Sequence, residues 1–301
     1  MKIAAIVVTF NRFELLKQTV KHLRAITRVN EIIVINNGST DGTTEWLRQQ
    51  TDLHVVHQEN VGGSGGFYTG IRLAYEEGFD WLWCMDDDVF PEEGCLEKLL
   101  ACDAPGVGIL CPRRIQAGKV FVSECVRINL SNPFASLLQE KLSPRVTEPT
   151  DIQSMVFEGP LIKREVVERI GFPNKDLFIF YDDTDYSYRS VLAGFRVVYV
   201  PEARMQKELF FAHDNWMARS RKKKWKHLYQ VRNTAYFNHR YGKNLFVRYV
   251  RPFHNMAGYL MLVFFSAPFV NAYRWSDLPR FWRMYFDGIH GRLGRLTISR
   301  S

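Results

Sequence analysis

The stretch Trp81-Leu82-Trp83-Cys84-Met85-Asp86-Asp87-Asp88-Val89 runs from a wholly apolar segment straight into three acids. An apolar run of this kind reads as a strand buried on both faces, and one that stops in carboxylates delivers them to a sheet edge. Three adjacent carboxylates repel one another unless a cation lies among them. Hard oxygen ligands suit Mg²⁺ or Mn²⁺, ions that commonly also hold the phosphates of a substrate. Taken alone, the triplet reads just as well as a solvated acidic turn, so its surroundings decide.

Working outward, strand and helix signals alternate through the first hundred residues. Residues 3–9 read as a strand. Residues 12–25 carry Leu15, Leu16, Val20 and Leu23 near helical spacing. Residues 31–36 form a strand ending in the turn Asn37-Gly38-Ser39-Thr40-Asp41-Gly42, with a helix containing Trp46 and Leu47 beyond it. Residues 53–57 are a short strand, 66–77 a helix with Phe67, Ile71 and Ala74 on one face, 81–85 a strand and 91–101 a helix. This alternation predicts an α/β fold, a parallel sheet with helices on both faces. Ligands bind such sheets beyond the C-terminal ends of the strands. Thr9-Phe10-Asn11, Asn36-Asn37, the glycine run after residue 60 and the three acids all follow strands, so they converge on one edge.

The rest of the chain is less regular. Residues 107–111, 120–128 and 154–157 read as strands, 131–149 as a loop and 163–170 as a short helix. Residues 178–181 form a second apolar run that stops in acids, Asp182-Asp183-Thr184-Asp185. A helix follows, closed by Gly194, and residues 196–200 form a last strand halted by Pro201. Beyond it lie a basic run at 219–226 interrupted by Trp225 and an apolar segment at 253–270 broken by Asn255, Gly258, Ser266 and Pro268. That segment falls short of the ~20 clean apolar residues of a spanning helix. Residues 274–295 interleave Trp275, Phe281, Trp282, Tyr285 and Phe286 with basic residues, the pattern of a helix lying on a membrane surface.

Composition agrees with a folded chain: 301 residues, 46% apolar and 24% charged. The net charge of +8 is unevenly placed. Residues 1–200 hold 21 basic and 27 acidic side chains, and residues 201–301 hold 19 and 5, so the C-terminal third is expected to meet something anionic. We divide the chain into 1–205, a catalytic and nucleotide-binding domain, and 206–301, a helical basic-aromatic region. The N-terminus is too short and too β-branched for a signal peptide. The five cysteines show no Cys-x-x-Cys spacing and leave one over if paired, which reads as reduced cytosolic thiols without a zinc site.

Four further groups bear on chemistry. Asn60-Val61-Gly62-Gly63-Ser64-Gly65-Gly66 leads into a helix; absent side chains let backbone N–H groups approach a ligand, and a helix N-terminus favours anions. The run matches neither the dinucleotide fingerprint nor a P-loop, and its plainer reading is a flexible turn. The segment from Asn36 to Asp41 fits an Asx turn capping a helix, or a nucleotide contact. Asp182-Asp183 fits a helix N-terminal cap, or a general base whose pKa is set by its neighbour. His213 could give a nitrogen ligand or be a surface histidine, and Arg221-Lys222-Lys223-Lys224 a solvated face or a phosphate contact. Nothing here supports a nucleic-acid-binding module.

Together Val7-Val8-Thr9-Phe10-Asn11-Arg12, Asn36 to Asp41, Asn60-Val61-Gly62-Gly63, Met85 to Asp88, Phe178 to Asp185 and Tyr229-Gln230-Val231-Arg232-Asn233 resemble the family-2 inverting glycosyltransferases of the GT-A fold. The likeness covers about residues 1–240 and comes nearest the bacterial galactofuranosyltransferase branch. It implies a Rossmann-like, mixed but mainly parallel sheet flanked by helices. It also implies that Thr9, Asn11, Arg12, Asn37, Gly62, Gly63 and Asp87 serve the donor. Asp86 and Asp88 would ligate Mn²⁺ or Mg²⁺, and Asp183 would be the catalytic base. His213 becomes the third metal ligand only if the loop after the last strand is longer than usual, since the expected count reaches Lys207.

The expected activity is transfer of a sugar from a nucleotide diphosphate donor, UDP-galactofuranose in first place, to a hydroxyl of a lipid-linked bacterial cell-surface glycan such as an O-antigen. The expected setting is the cytoplasmic face of the membrane, with the basic-aromatic region docked on anionic lipid. Alternatives are a rhamnosyl or other nucleotide-sugar transferase of the same fold, and a nonenzymatic glycan- or membrane-binding protein.

Overall fold

Ile3–Thr9 is buried along its whole length, the mark of an interior strand covered on both faces. The computed structural model describes residues 1–209, 216–266 and 273–296, with the backbone alone for 216–223 and 266. In chain order the elements are β1 (Ile3–Thr9), α1 (Phe13–Arg24), β2 (Glu31–Asn36), α2 (Thr43–Leu47), β3 (His54–His57), α3 (Gly62–Glu76), β4 (Trp81–Asp86), β5 (Val89–Pro91), α4 (Cys95–Leu100) and β6 (Val107–Gln116). There follow β7 (Lys119–Phe121), β8 (Cys125–Ile128), β9 (Leu138–Lys141), β10 (Thr150–Ile152), β11 (Leu161–Lys163), α5 (Arg164–Ile170), α6 (Asp182–Leu192), β12 (Arg196–Lys207), α7 (Trp216–Tyr241), α8 (Arg251–Ser266) and α9 (Leu278–Ile289).

The main sheet has the order β10-β12-β6-β11-β4-β1-β2-β3, with β5 on β12 and β7 on β6. The pairs β1–β2, β1–β4, β2–β3 and β6–β12 are parallel, while β11 and β10 run antiparallel to their neighbours. Period-two alternation sorts β1 between two cores. Ile3, Ala5 and Val7 pack with Leu16, Val20 and Leu23 of α1 and with Leu96 and Leu99 of α4. Ala4, Ile6 and Val8 pack with Phe67, Ile71 and Ala74 of α3, Val166 of α5 and Tyr186 of α6. Register places Val8 opposite Asp86 and Thr9 opposite Asn36, so three strands present their C-terminal ends at one edge.

Several sequence expectations are corrected. The strand expected at 196–200 does not stop at Pro201. It shifts register between Val200 and Arg204 and continues to Lys207, the proline sitting in the irregularity where no ladder N–H is required. The apolar run at 178–181 is no strand: Phe178, Phe180 and Tyr181 have φ of 67°, 67° and 68°. The helix expected from residue 66 begins at Gly62, because tertiary packing overrides glycine's poor helix propensity. The helix expected over 91–101 is confined to Cys95–Leu100, and Pro91 belongs to β5. Within the expected loop at 131–149 lies β9, and Ser154 makes an isolated bridge to Cys125 rather than opening a strand.

The chain divides into two units. One comprises Met1–Arg127, Glu140–Lys175 and Asp182–Leu209; the other comprises Ile128–Gln139, Asp176–Tyr181 and Phe210–Ser301. The second unit has its own core, where Val231 and Ala235 of α7 meet Met256 and Val263 of α8 and Phe281, Met284 and Tyr285 of α9. Gly288 permits that closeness: a Cβ there would lie 2.1 Å from the Arg232 carbonyl oxygen. Among the described residues no helix is long and apolar enough to cross a membrane.

Candidate active site

β4 ends on Asp86, which is partly exposed, and the chain turns through Asp87 and Asp88, both buried, into β5. Burial of carboxylates demands partners. Asp87 has them: Thr9 Oγ1 donates to its Oδ2 at 2.7 Å, and Arg12 Nη1 lies 3.1 Å from its Oδ1. The same Arg12 nitrogen lies 2.9 Å from Asp88 Oδ2, and Lys207 Nζ approaches that oxygen at 3.5 Å. Lys207 arrives because β5 pairs with the far end of β12, setting Val89 opposite Lys207. Asp88 Oδ1 is buried with no hydrogen-bond partner.

Charge accumulates here. Burial pushes the Asp86 carboxyl well above the usual carboxylate range, and the negative charges of Asp88, Glu158 and Asp87 push it further. Burial lifts Asp87 to about 6 against the pull of Arg12 and Thr9. A partnerless buried oxygen and a carboxyl driven up by like charges are what a cation would relieve, and all the donors are hard oxygens. The residues therefore fit a divalent ion such as Mg²⁺ or Mn²⁺, held by Asp86 and Asp88.

Asp183 lies in the first turn of α6, partly exposed, with Asp182 buried beside it. Its Oδ1 accepts from the Thr184 N–H at 2.6 Å. Burial, then the charge of Asp182 and that of Glu158, raise its pKa to about 8. Glu158 thus acts on both Asp86 and Asp183. Glu158 stays ionised: burial pushes it up, but Arg114 and Lys207 more than compensate, with Lys207 Nζ 2.7 Å from its Oε1. Arg114, itself buried, also holds Glu124 at 2.5 Å. Sequence reading missed Glu158 and gave Lys207 no role. The available signal was a lone acid in the apolar segment Met155-Val156-Phe157-Glu158.

The other expected donor residues surround this edge, several of them engaged with protein. Asn37 is buried; its Nδ2 donates to Gly62 O at 2.9 Å and its Oδ1 accepts from Gln58 Nε2 at 3.0 Å and from the Val61 N–H at 3.2 Å. Asn11, at φ 53°, accepts from the Thr40 N–H at 2.7 Å. Asn36 Oδ1 accepts from the Ser39 N–H at 3.0 Å, and Asp41 Oδ1 from the Thr43 N–H at 3.3 Å at the start of α2, so the Asx-turn and capping reading of this segment is realised; Asp41 Oδ2 also accepts from the Phe13 N–H at 2.9 Å at the start of α1. Gly62 and Gly63 open α3; a Cβ on Gly63 would meet nothing within 4 Å. On Gly66 and Gly70 it would come within 2.4 Å of Val8 and 2.3 Å of Ile6, so those two serve close packing of α3 on β1 and β2. His213 lies outside the described residues. The three-ligand grouping Glu31, His54 and Glu77 is at the opposite ends of β2 and β3, where hydrogen bonding accounts for it (His54 Nδ1 is 2.8 Å from Glu31 Oε1).

A parallel-sheet edge bearing an acid triplet sits within the span matched by a family profile, and the second acid group, Asp182 and Asp183, lies just beyond it. Glycosyl transferase family 2 matches residues 4–171, more than half of the chain. The chain belongs to this family. The transferase is 25% identical over 214 residues to the undecaprenyl-phosphate mannosyltransferase of Micrococcus luteus, covering 69% of this chain and 86% of that one. It is 27% identical over 211 residues to the galactofuranosyltransferase GlfT1 of Mycolicibacterium smegmatis, covering 64% of this chain and 66% of the relative, just under two thirds of its length. Its fold is similar to that of the mannosyltransferase PcManGT from Pyrobaculum calidifontis, solved with GDP-Man and Mn²⁺: the TM-score is 0.52 at 15% identity, over 97% of this chain and 88% of that one. The transferase accordingly has the expected GT-A architecture, a mainly parallel sheet flanked by helices.

Proposed function

We propose that this transferase moves a sugar, galactofuranose in first place, from a UDP-linked donor onto a hydroxyl of a lipid-linked bacterial glycan, with inversion, at the cytoplasmic face of the membrane. One observation carries the reading: Lys207 Nζ, 3.5 Å from Asp88 Oδ2 and 2.7 Å from Glu158 Oε1, ties the acid triplet to the partly buried Glu158, whose charge also raises Asp183. The likeness to GlfT1 supports the donor.

In this reading Asp86 and Asp88 hold Mn²⁺ or Mg²⁺, with His213 as the third ligand; the neighbour solved with Mn²⁺ supports a divalent ion. Such an ion, when bound, neutralises charge on the departing diphosphate. Thr9 and Arg12 fix Asp87 toward the donor's ribose or sugar. Asn11 and Asn37 act by bracing the loops that line the nucleotide, Gly63 leaves room for it, and Gly62, at φ 79°, turns the chain into α3 beside it. Asp183 accepts the proton of the acceptor hydroxyl. The oxygen so freed forms the new bond to the anomeric carbon as that carbon's bond to the diphosphate breaks on the opposite side. A carboxyl pKa raised toward neutrality matches the task of a general base.

A second reading has a specific support: the chain spans 86% of an undecaprenyl-phosphate mannosyltransferase. The donor would then be a mannose nucleotide and the acceptor a polyprenyl phosphate, already ionised and in no need of a base. Asp183→Asn separates the two. With a hydroxyl acceptor it should keep donor binding and lose about 10²–10⁴ in transfer rate. Normal turnover by that variant removes the base assignment, and a panel of nucleotide sugars assigns the donor.

A further inference from the structure

Helices α8 and α9 turn aromatic side chains outward as well as inward. On α9, Phe281, Met284 and Tyr285 are buried in the second unit's core, whereas Trp282 and Phe286, one turn apart, are exposed with ring centroids 6.3 Å apart. On α8, Phe253, Phe264 and Phe265 are exposed. Positions 253 and 264 are separated by about three helical turns, so they share a face. The Phe253 ring meets Trp282 at 5.9 Å; farther along, Phe264 meets Phe265 at 5.5 Å and the exposed Trp275 at 5.2 Å. These six rings are each 39–63% exposed, far more apolar surface than isolated surface aromatics present.

The charges around them have one sign outward. Residues 251–296 contain six arginines and two acids. Both acids are buried and neutralised by bases: Asp277 pairs with Lys224 at 2.6 Å, and Asp287 with Arg292 at 2.8 Å and with Arg283 at 3.4 Å. Arg283, between Trp282 and the helix end, is 79% exposed, and Arg274 is exposed beside Trp275. Exposed tryptophan and phenylalanine flanked by arginine, with no outward carboxylate in this segment among the described residues, complement an anionic lipid surface. Aromatic rings settle at headgroup depth and arginines on phosphates. No described helix is both long and apolar enough to span.

We infer that the outward face of α8 and α9 lies in the interface of an anionic bilayer, with the six rings among the headgroups and Arg274 and Arg283 on lipid phosphates. The inference deepens the membrane part of the proposed function, on which it rests, by naming the surface that docks.

The test is co-sedimentation of the full chain with vesicles of phosphatidylglycerol and phosphatidylcholine, against phosphatidylcholine alone. The expected result is binding to the first, weakening as salt rises. Trp282→Ser with Phe286→Ser, and separately Phe264→Ser with Phe265→Ser, should each lower partitioning about tenfold or more. Arg283→Glu should lower it by about fivefold or more. These side chains lie outside the core, so the thermal midpoint and UDP binding should match wild type. Absence of binding to anionic vesicles overturns the inference, as do variants that bind like wild type. So does a solution dimer that the same substitutions dissociate, since a second copy would then cover the face. No sugar transfer is measured, so failure here leaves the donor and acceptor reading to its own test.

Discussion

The Asn233 amide donates to the carbonyl of Phe180 at 3.0 Å, and the same nitrogen lies 2.9 Å and 2.8 Å from the carbonyls of Leu177 and Ile179. Arg232 Nη2 adds a contact to Leu177 O at 3.0 Å. The turn so gripped holds Phe178, Phe180 and Tyr181 in the left-handed region, each at a cost of roughly 1–2 kcal/mol. It ends directly before α6, the helix that carries Asp183. Asn233→Ala should therefore destabilise the protein by about 1–3 kcal/mol, seen as a lower denaturant midpoint at unchanged slope. An unchanged midpoint would mean that the turn holds itself.

After burial, the charge of Asp182 is the largest influence raising Asp183. Removing it lowers the pKa of Asp183, so the base form persists to lower pH. Asp182→Asn should move the acid limb of the transfer rate profile downward and raise the rate severalfold on that limb relative to its own plateau. A limb that stays in place would show that Asp183 is not the group being titrated.

Asp86 and Asp87 both hold protons more tightly in the fold than in the unfolded chain, Asp87 up to about 6. Without metal, the contribution of Asp87 to stability is fully present below the ordinary carboxylate range and is lost as pH rises through about 6, and that of Asp86 also falls as pH rises. A divalent ion requires the ionised form and reverses that trend. The thermal shift produced by excess Mn²⁺ should accordingly be larger near about pH 8 than near about pH 5. Equal shifts at the two values would place the ion elsewhere.

Strands β1, β2 and β4 were legible because interior strands of a parallel sheet carry continuous apolar runs, and the acids at the end of β4 interrupt one abruptly. Glu158 and Lys207 were not, because they reach Asp86 and Asp88 only through pairings distant in sequence. Lys207 depends on β12 passing Pro201, and a proline reads locally as a strand stop when a register shift can absorb it. The approach to Asp183 was misread for a related reason. Phe178-Ile179-Phe180-Tyr181 has strand composition, and the amide that overrides that preference comes from Asn233, 53 residues beyond Phe180. The basic-aromatic character of residues 274–295 was visible, but which rings face outward depends on α8 packing against α9.

The glycines of α3 are of two kinds, and substitution should tell them apart. Gly70→Ala places a Cβ 2.3 Å from Ile6 Cγ2, inside a packed core, so despite alanine's better helix propensity it should cost about 1–3 kcal/mol. UDP affinity per folded molecule should be unchanged. Gly63→Ala meets no atom within 4 Å, so stability should hold or rise by up to about 1 kcal/mol. If Gly63 leaves room for the nucleotide, that methyl group should weaken UDP binding, measured by calorimetry in the presence of Mn²⁺. Unimpaired UDP binding by Gly63→Ala would show that Gly63, like Gly66 and Gly70, serves the helix rather than the ligand.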